Sequence, residues 1–129
     1  MDILIPVSWG ELFDKLTILQ IKSERISDPG KLENVCRELA ELEKVVHGFA
    51  PPPAELGAGI DALREANSKL WVIEDEIRDC ERECRFDGEF ISLARAVYHT
   101  NDERAALKKR INLLLGSELV EEKSYSSYS

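Results

Sequence analysis

The chain opens on a short apolar run, Ile3 to Val7, broken by Pro6, and then changes period. In Ser8-Trp9-Gly10-Glu11 a serine precedes a glutamate by three residues, the pattern of a capping box that starts a helix. Leu12, Leu16, Leu19 and Ile26, flanked by Trp9 and Phe13, follow a helical period as far as Ser27. Asp28-Pro29-Gly30 is a turn signal. A second helix is predicted from Pro29 or Lys31 to His47, with a stripe of Leu32, Val35, Cys36, Leu39, Leu42 and Val46 and an opposite face of charges. Gly48 suits its C-terminal cap. Pro51-Pro52-Pro53 reads as a stiff spacer, and Gly57 and Gly59 delay the start of helix 3 to about Ile60. Leu63, Leu70, Ile73, Ile77, Cys80 and Cys84 then keep the seam spacing of a coiled coil or long bundle helix to about Arg85. Phe86-Asp87-Gly88 is a break, Asp87 caps helix 4, and Gly116 closes it after about Leu115.

Four helices on short turns predict an all-α antiparallel four-helix bundle in a single domain, 1–129. It is built from a short hairpin (about 8–48) and a long one (about 60–115), with helices of about 27 Å and about 40 Å. The long hairpin therefore overhangs the short one, and its uncovered seam predicts a partner, most simply a second copy. Residues 1–7 are expected as an extended arm and 117–129 as a polar, frayed tail.

The stripes are interrupted in one zone. Asn67 and Glu74 break the apolar row of helix 3, and Asn101, Arg104 and Lys108 break that of helix 4. If the hairpin turns near 86–87, Asn67 faces about position 106 and Glu74 about position 99, so the interruptions lie opposite one another. A buried charge without a partner costs several kcal/mol, so this layer must be satisfied internally, hydrated or filled by a ligand. One expectation is a structural layer, with Glu74 paired to Arg104, Asn67 bonded to Asn101 and Lys108 reaching out to solvent. The other is a pocket whose Arg and Lys hold an anionic group, with Glu74 as acid or base. Helix 1 carries a second face as well: Asp14, Ile18, Ile21 and Arg25 lie nearly opposite its leucines. That face is either an intermolecular interface or the mark of a helix packed on two sides.

Composition narrows the function. Charged residues make up 33% of the chain and aromatic residues 7%, which suits a helical domain. The 17 basic and 25 acidic residues leave −8, a charge that nucleic-acid phosphates and anionic lipid repel. Neither nucleic acid nor membrane is expected as a partner. Three cysteines, Cys36, Cys80 and Cys84, are too few and too uneven for a disulfide scaffold; they are expected as buried reduced thiols in a cytoplasmic protein. No metal or cofactor is expected. The Glu-x-x-His pairs of di-iron bundles are missing, because Lys44 and Ala96 stand three residues before His47 and His99. Glu38-x-x-Glu41 and Glu76-x-x-Asp79 match the Mg²⁺-holding pairs of all-α nucleoside triphosphate pyrophosphohydrolases in letter only. No phosphate loop, nucleophile elbow or Cys/His pairing is present, and no catalytic residue is assigned.

The string VSWGELFDKLTILQIKSERI at 7–26 resembles the opening of a small bacterial helical domain family of unknown function. LWVIEDEIR at 70–78, FISLARAVY at 90–98, NDER at 101–104 and GSELVEEKSY at 116–125 resemble the rest of it. The resemblance implies a context beside proteins of cell-surface carbohydrate pathways, and no reaction. A weaker likeness, of fold only, is to the all-helical chorismate mutases, whose bundle helices set Arg and Lys around an anionic substrate. The leading functional expectation is a non-enzymatic module that self-associates as a homodimer and docks another protein. The alternative is a small helical enzyme or binding protein for an anionic metabolite, using Asn67, Glu74, Asn101, Arg104 and Lys108.

Overall fold

Four helices form where the hydrophobic period places them: α1 (Trp9–Arg25), α2 (Pro29–His47), α3 (Ala54–Arg82) and α4 (Gly88–Leu114). The structure is a computed structural model that describes residues 1–49 and 53–128. The helices take up nearly three-quarters of the described residues, among which there is no strand. Ser8 caps α1 by accepting a bond from the Glu11 backbone N–H at 3.1 Å. Only half of the expected capping box forms, because the Glu11 carboxylate turns away to Lys108. Asp28 accepts from the Lys31 N–H at 2.9 Å with Pro29 in the first turn of α2, and Asp87 accepts from the N–H groups of Glu89 and Phe90.

Both long helices end in the same way. The Arg85 N–H reaches back to the Cys80 carbonyl at 2.9 Å, and the Ser117 N–H to that of Asn112 at 2.8 Å. The residue between helix and return bond is left-handed in each case, Cys84 at φ 55° and Gly116 at φ 63°. Cys84 is thereby lifted off the seam where the sequence places it. It is exposed, as is Cys36; Cys80 alone of the three thiols is buried.

α3 starts six residues earlier than the glycines suggest. Pro53 (φ −58°, ψ 153°) delivers the chain in a polyproline conformation, and the helix begins at Ala54. Leu56 is buried in the main core with Phe13, Leu16, Leu63 and Ile111. Gly59 lets α4 come close, with the Ile111 Cγ1 3.5 Å from where its Cβ would stand. Burial outweighs the roughly 1 kcal/mol that each helical glycine costs. The rest of the expected proline spacer, at 51–52, lies outside the described residues.

The packing is centred on α1. It runs against α2, α3 and α4, whereas α2 approaches no helix backbone but that of α1 among the described residues. Gly10 meets Lys108 and Asn112, and Asp14 meets Arg104, so α1 is antiparallel to α4. α3 is also antiparallel to α4, so α1 and α3 run the same way. The bundle is thus a three-helix core of α1, α3 and α4, with α2 laid on the outside of α1 through Val35 and the half-buried Leu39, Leu42 and Val46. The last turn of α1 stands beside Lys69, Val72 and Ile73, and beyond it the α3–α4 hairpin runs on for about 18 Å. No described helix is long and apolar enough to cross a membrane.

The terminal segments differ from each other. Residues 1–7 are exposed and carry no regular secondary structure. Residues 117–128, expected as a polar tail, turn back along α4, with Glu121 on Lys108, Glu122 on Lys109 and Tyr128 on Asp102.

Gly10 is a point of close approach between α1 and α4. A Cβ there would stand 2.5 Å from the Lys108 carbonyl oxygen and 3.0 Å from Asn112 Oδ1, and the former is backbone that cannot rotate aside. Gly10→Ala is therefore expected to force the helices apart and cost about 1–3 kcal/mol, read as a lowered urea midpoint. An unchanged midpoint would contradict this packing.

Candidate functional site

The candidate site is built from one stripe of α1. Gly10, Asp14, Thr17 and Ile21 are all buried, four residues of a helix otherwise read by its leucines. The second face of α1 is therefore internal. Asp14 and Ile21 do not form the expected free interface, Ile18 is half-buried, and only Arg25 is exposed. The physical reason is that α1 is wedged between α2 on one side and the α3–α4 hairpin on the other.

Asp14 is 1% exposed. Arg104 grips it with two parallel bonds, Nε to Oδ1 at 2.8 Å and Nη2 to Oδ2. The Asn67 amide donates to Asp14 Oδ1 and to Thr17 Oγ1, each at 3.0 Å, and the Thr17 hydroxyl donates to the Asp14 carbonyl at 2.9 Å. Burial pushes the Asp14 carboxyl up. The bonds from Arg104 and Asn67 and the charges of Arg104 and Lys108 outweigh it and hold the group below its ordinary value. The same bond to Asp14 raises the Arg104 guanidinium, against desolvation.

One turn on, Lys108 Nζ sits 2.8 Å from Glu11 Oε2, 2.8 Å from Glu121 Oε2 and 3.9 Å from Asp14 Oδ2. Burial works against its charge, but the bonds to Glu11 and Glu121 prevail and its pKa is raised. Glu121 is lowered in turn, first by its bond to Lys108. Asn112 accepts from the Gly10 N–H at 2.6 Å and ties α4 to the first turn of α1. Among the described residues no buried side-chain nitrogen or oxygen lacks a partner.

Above this layer lies a cavity of about 270 Å³. Its wall carries four cations, Arg104, Lys108, Lys109 and Lys123, with the acids Glu11 and Glu121 and the amides Asn101 and Asn112. In a chain of net charge −8 the wall gathers four cations against two acids, with Asp14 and Glu122 paired to Arg104 and Lys109 beside it.

Of the residues singled out in the sequence, Asn67, Arg104 and Lys108 converge here, and Asn101 Oδ1 lies 3.5 Å from Arg104 Nη1 at its edge. Glu74 does not join them. It pairs with Arg78 one turn along α3, in solvent, and the expected Glu74–Arg104 pair is replaced by Asp14–Arg104. The carboxylate that meets Arg104 comes from α1, outside the α3–α4 hairpin. Nor do the two acidic pairs on α2 and α3 meet: Glu38 faces Lys15, Glu41 faces Lys44 and Asp79 faces Arg82. No group of three or more His, Cys, Asp or Glu among the described residues could hold a metal ion. Sequence reasoning missed Glu11, Asn112, Glu121 and Lys123. Glu11 and Asn112 gave one signal, each lying one helical turn from a residue already singled out, Asp14 and Lys108.

Arg104→Ala is expected to leave the Asp14 carboxylate buried without its cation, costing about 3–5 kcal/mol. The Asp14→Ala, Arg104→Ala double mutant should lose less than the two single losses summed; strict additivity in urea melts would disprove the pair. The pH dependence follows from the same group. Its folded pKa is depressed, so its stabilisation is complete above the ordinary value of 3.8 and is lost as pH falls through the folded value. Acid unfolding of Asp14→Asn should lack that component. Comparison with protein-family models, curated proteins and solved structures finds no match to this chain, so its site is defined by its own geometry.

Proposed function

We propose that this chain is a helical binding protein for a small ligand bearing an anionic group, held in the cleft between α1, α4 and the C-terminal tail. The observation that carries the reading is the cavity wall of Arg104, Lys108, Lys109 and Lys123 in an otherwise acidic molecule. Two of these cations are held in place from behind by carboxylates of α1, which removes the entropy of ordering them on binding. The Glu121 carboxylate on Lys108 supports the assignment, since it is an oxyanion bound where the ligand's would sit. The reading is one of binding rather than proton transfer. Arg104 and Lys108 have raised pKa values and keep their charge at neutral pH, unlike a general acid or base poised near 7. The three unpaired cysteines support a reducing, cytoplasmic setting.

A second reading, self-association, is supported by a separate observation. The α3–α4 hairpin outruns α1, and Phe86 and Ile91 at its end are more than half exposed. A second copy laid on this end would cover them. Sedimentation should then show a dimer that Phe86→Ser with Ile91→Ser dissociates; a monomer at high concentration excludes it.

The binding reading is tested by following the melting temperature of the full chain with phosphate, sulfate, succinate and citrate. An anion at 100 times its Kd should stabilise by about 2.7 kcal/mol. Lys109→Ala and Lys123→Ala should remove that shift and leave the unliganded melt unchanged, because both side chains are exposed. Failure of every anion to raise the melting temperature would overturn the reading.

A further inference from the structure

A second cavity, of about 680 Å³, lies next to the first along α4 and shares Lys123 with it. Tyr98 and Asp102 of α4 form one wall, and Tyr125, Ser126 and Tyr128 of the tail form the other. The chain has three tyrosines, and all three line this one space. They are not packed away: Tyr98 is 42% exposed, Tyr128 55% and Tyr125 81%.

The aromatic wall is held in position. The Tyr128 hydroxyl donates to Asp102 Oδ2 at 2.8 Å, and its ring sits against those of Tyr98 and His99 at centroid distances of 5.3 and 4.8 Å. Lys123 Nζ stands 5.7 Å from the centre of the Tyr125 ring, so the cation common to both cavities also marks their junction. The tail is therefore a wall of two adjoining compartments, one cationic and one aromatic.

We infer that the ligand is a ring that carries its anionic group as a substituent. This rests on the reading of the first cavity as an anion site. The volumes divide the ligand. About 270 Å³ bounded by four cations accommodates a phosphate or carboxylate group, and about 680 Å³ falls in the usual range for a small-molecule site. Flat faces of tyrosine attract a planar or chair-shaped ring through its own face, and such stacking tolerates differences in ring identity. The Asp102 carboxylate accepts from ring hydroxyl or amino substituents, which gives the compartment its polar selectivity. An open-chain anion fills only the first compartment. Aromatic and sugar rings share the required chemistry, and the probes below separate them.

The experiment is calorimetric titration of the full chain with two series. One is inorganic phosphate, glycerol 3-phosphate, phenyl phosphate and glucose 6-phosphate; the other is acetate, benzoate and glucuronate. At least one ring compound is expected to bind roughly tenfold or more tighter than the open-chain and inorganic members of its series. Phenyl phosphate or benzoate leading identifies an aromatic ring, and glucose 6-phosphate or glucuronate a pyranose. Tyr125→Ala, at a site too exposed to affect folding, should erase the ring advantage and leave the phosphate or acetate Kd unchanged. Equal affinity for ring and open-chain members overturns the inference while leaving the anion site intact. A ring preference that survives both Tyr125→Ala and Tyr98→Ala overturns it too. If no member of either series binds, the anion site itself falls, and this inference with it.

Discussion

Everything at the candidate site depends on one carboxylate placed where water cannot reach it. Asp14 sits in the middle of the helix that all the others touch. Its charge is sustained by a guanidinium that arrives from α4 and by an amide that arrives from α3. A desolvated carboxylate tolerates few arrangements of its partners, so the pair constrains how α1 lies on the hairpin. Gly10, one turn earlier, allows the approach that the pair requires. Apolar residues of similar volume would stabilise a bundle about as well. What the charged layer adds is position: it fixes Arg104, and with it the next turn of α4, where Lys108 faces the cleft.

The charges of the cleft are graded from inside to outside. Asp14 is fully buried, Glu11 stands at the edge on a rigid helix, and Glu121 comes from a segment with no regular structure. Arg104 and Lys108 are thus anchored from the core side and met from the solvent side by a carboxylate on a non-helical strap. The long hairpin makes this possible, because α4 has length enough to serve the core through Ile111, the polar layer through Arg104 and the aromatic cavity through Tyr98.

The polar layer was partly legible as an error in a pattern. Asn67, Arg104 and Lys108 stood out because each occupied a position that a helical stripe reserves for apolar side chains, and each proved to be buried or bound in the core. Glu74 stood out for the same reason, yet it turned to solvent and to Arg78, since its position on α3 lies past the end of α1. Asp14 was visible as part of a second face but not as the partner of Arg104. Sequence separation carries no hint of which of 25 carboxylates meets a given arginine. The tail was read as polar and frayed because its composition is that of a loop; its contacts are single side chains meeting α4, which leave no period to detect.

The sequence by itself determined the presence of four helices, the N-caps of α1, α2 and α4 and the unequal lengths of the two hairpins, but not the start of α3. These are local matters, decided within a few residues by hydrogen-bond caps, by proline and glycine, and by a 3.6-residue repeat of apolar side chains. Only the tertiary structure decided that α1 is the central helix, that α2 approaches no other helix backbone among the described residues, and that the tail returns to form the outer wall of the cleft. Those outcomes depend on which faces meet across 13 to 108 residues of chain, where burial, charge pairing and close approach at a single glycine compete over distances that no local pattern records.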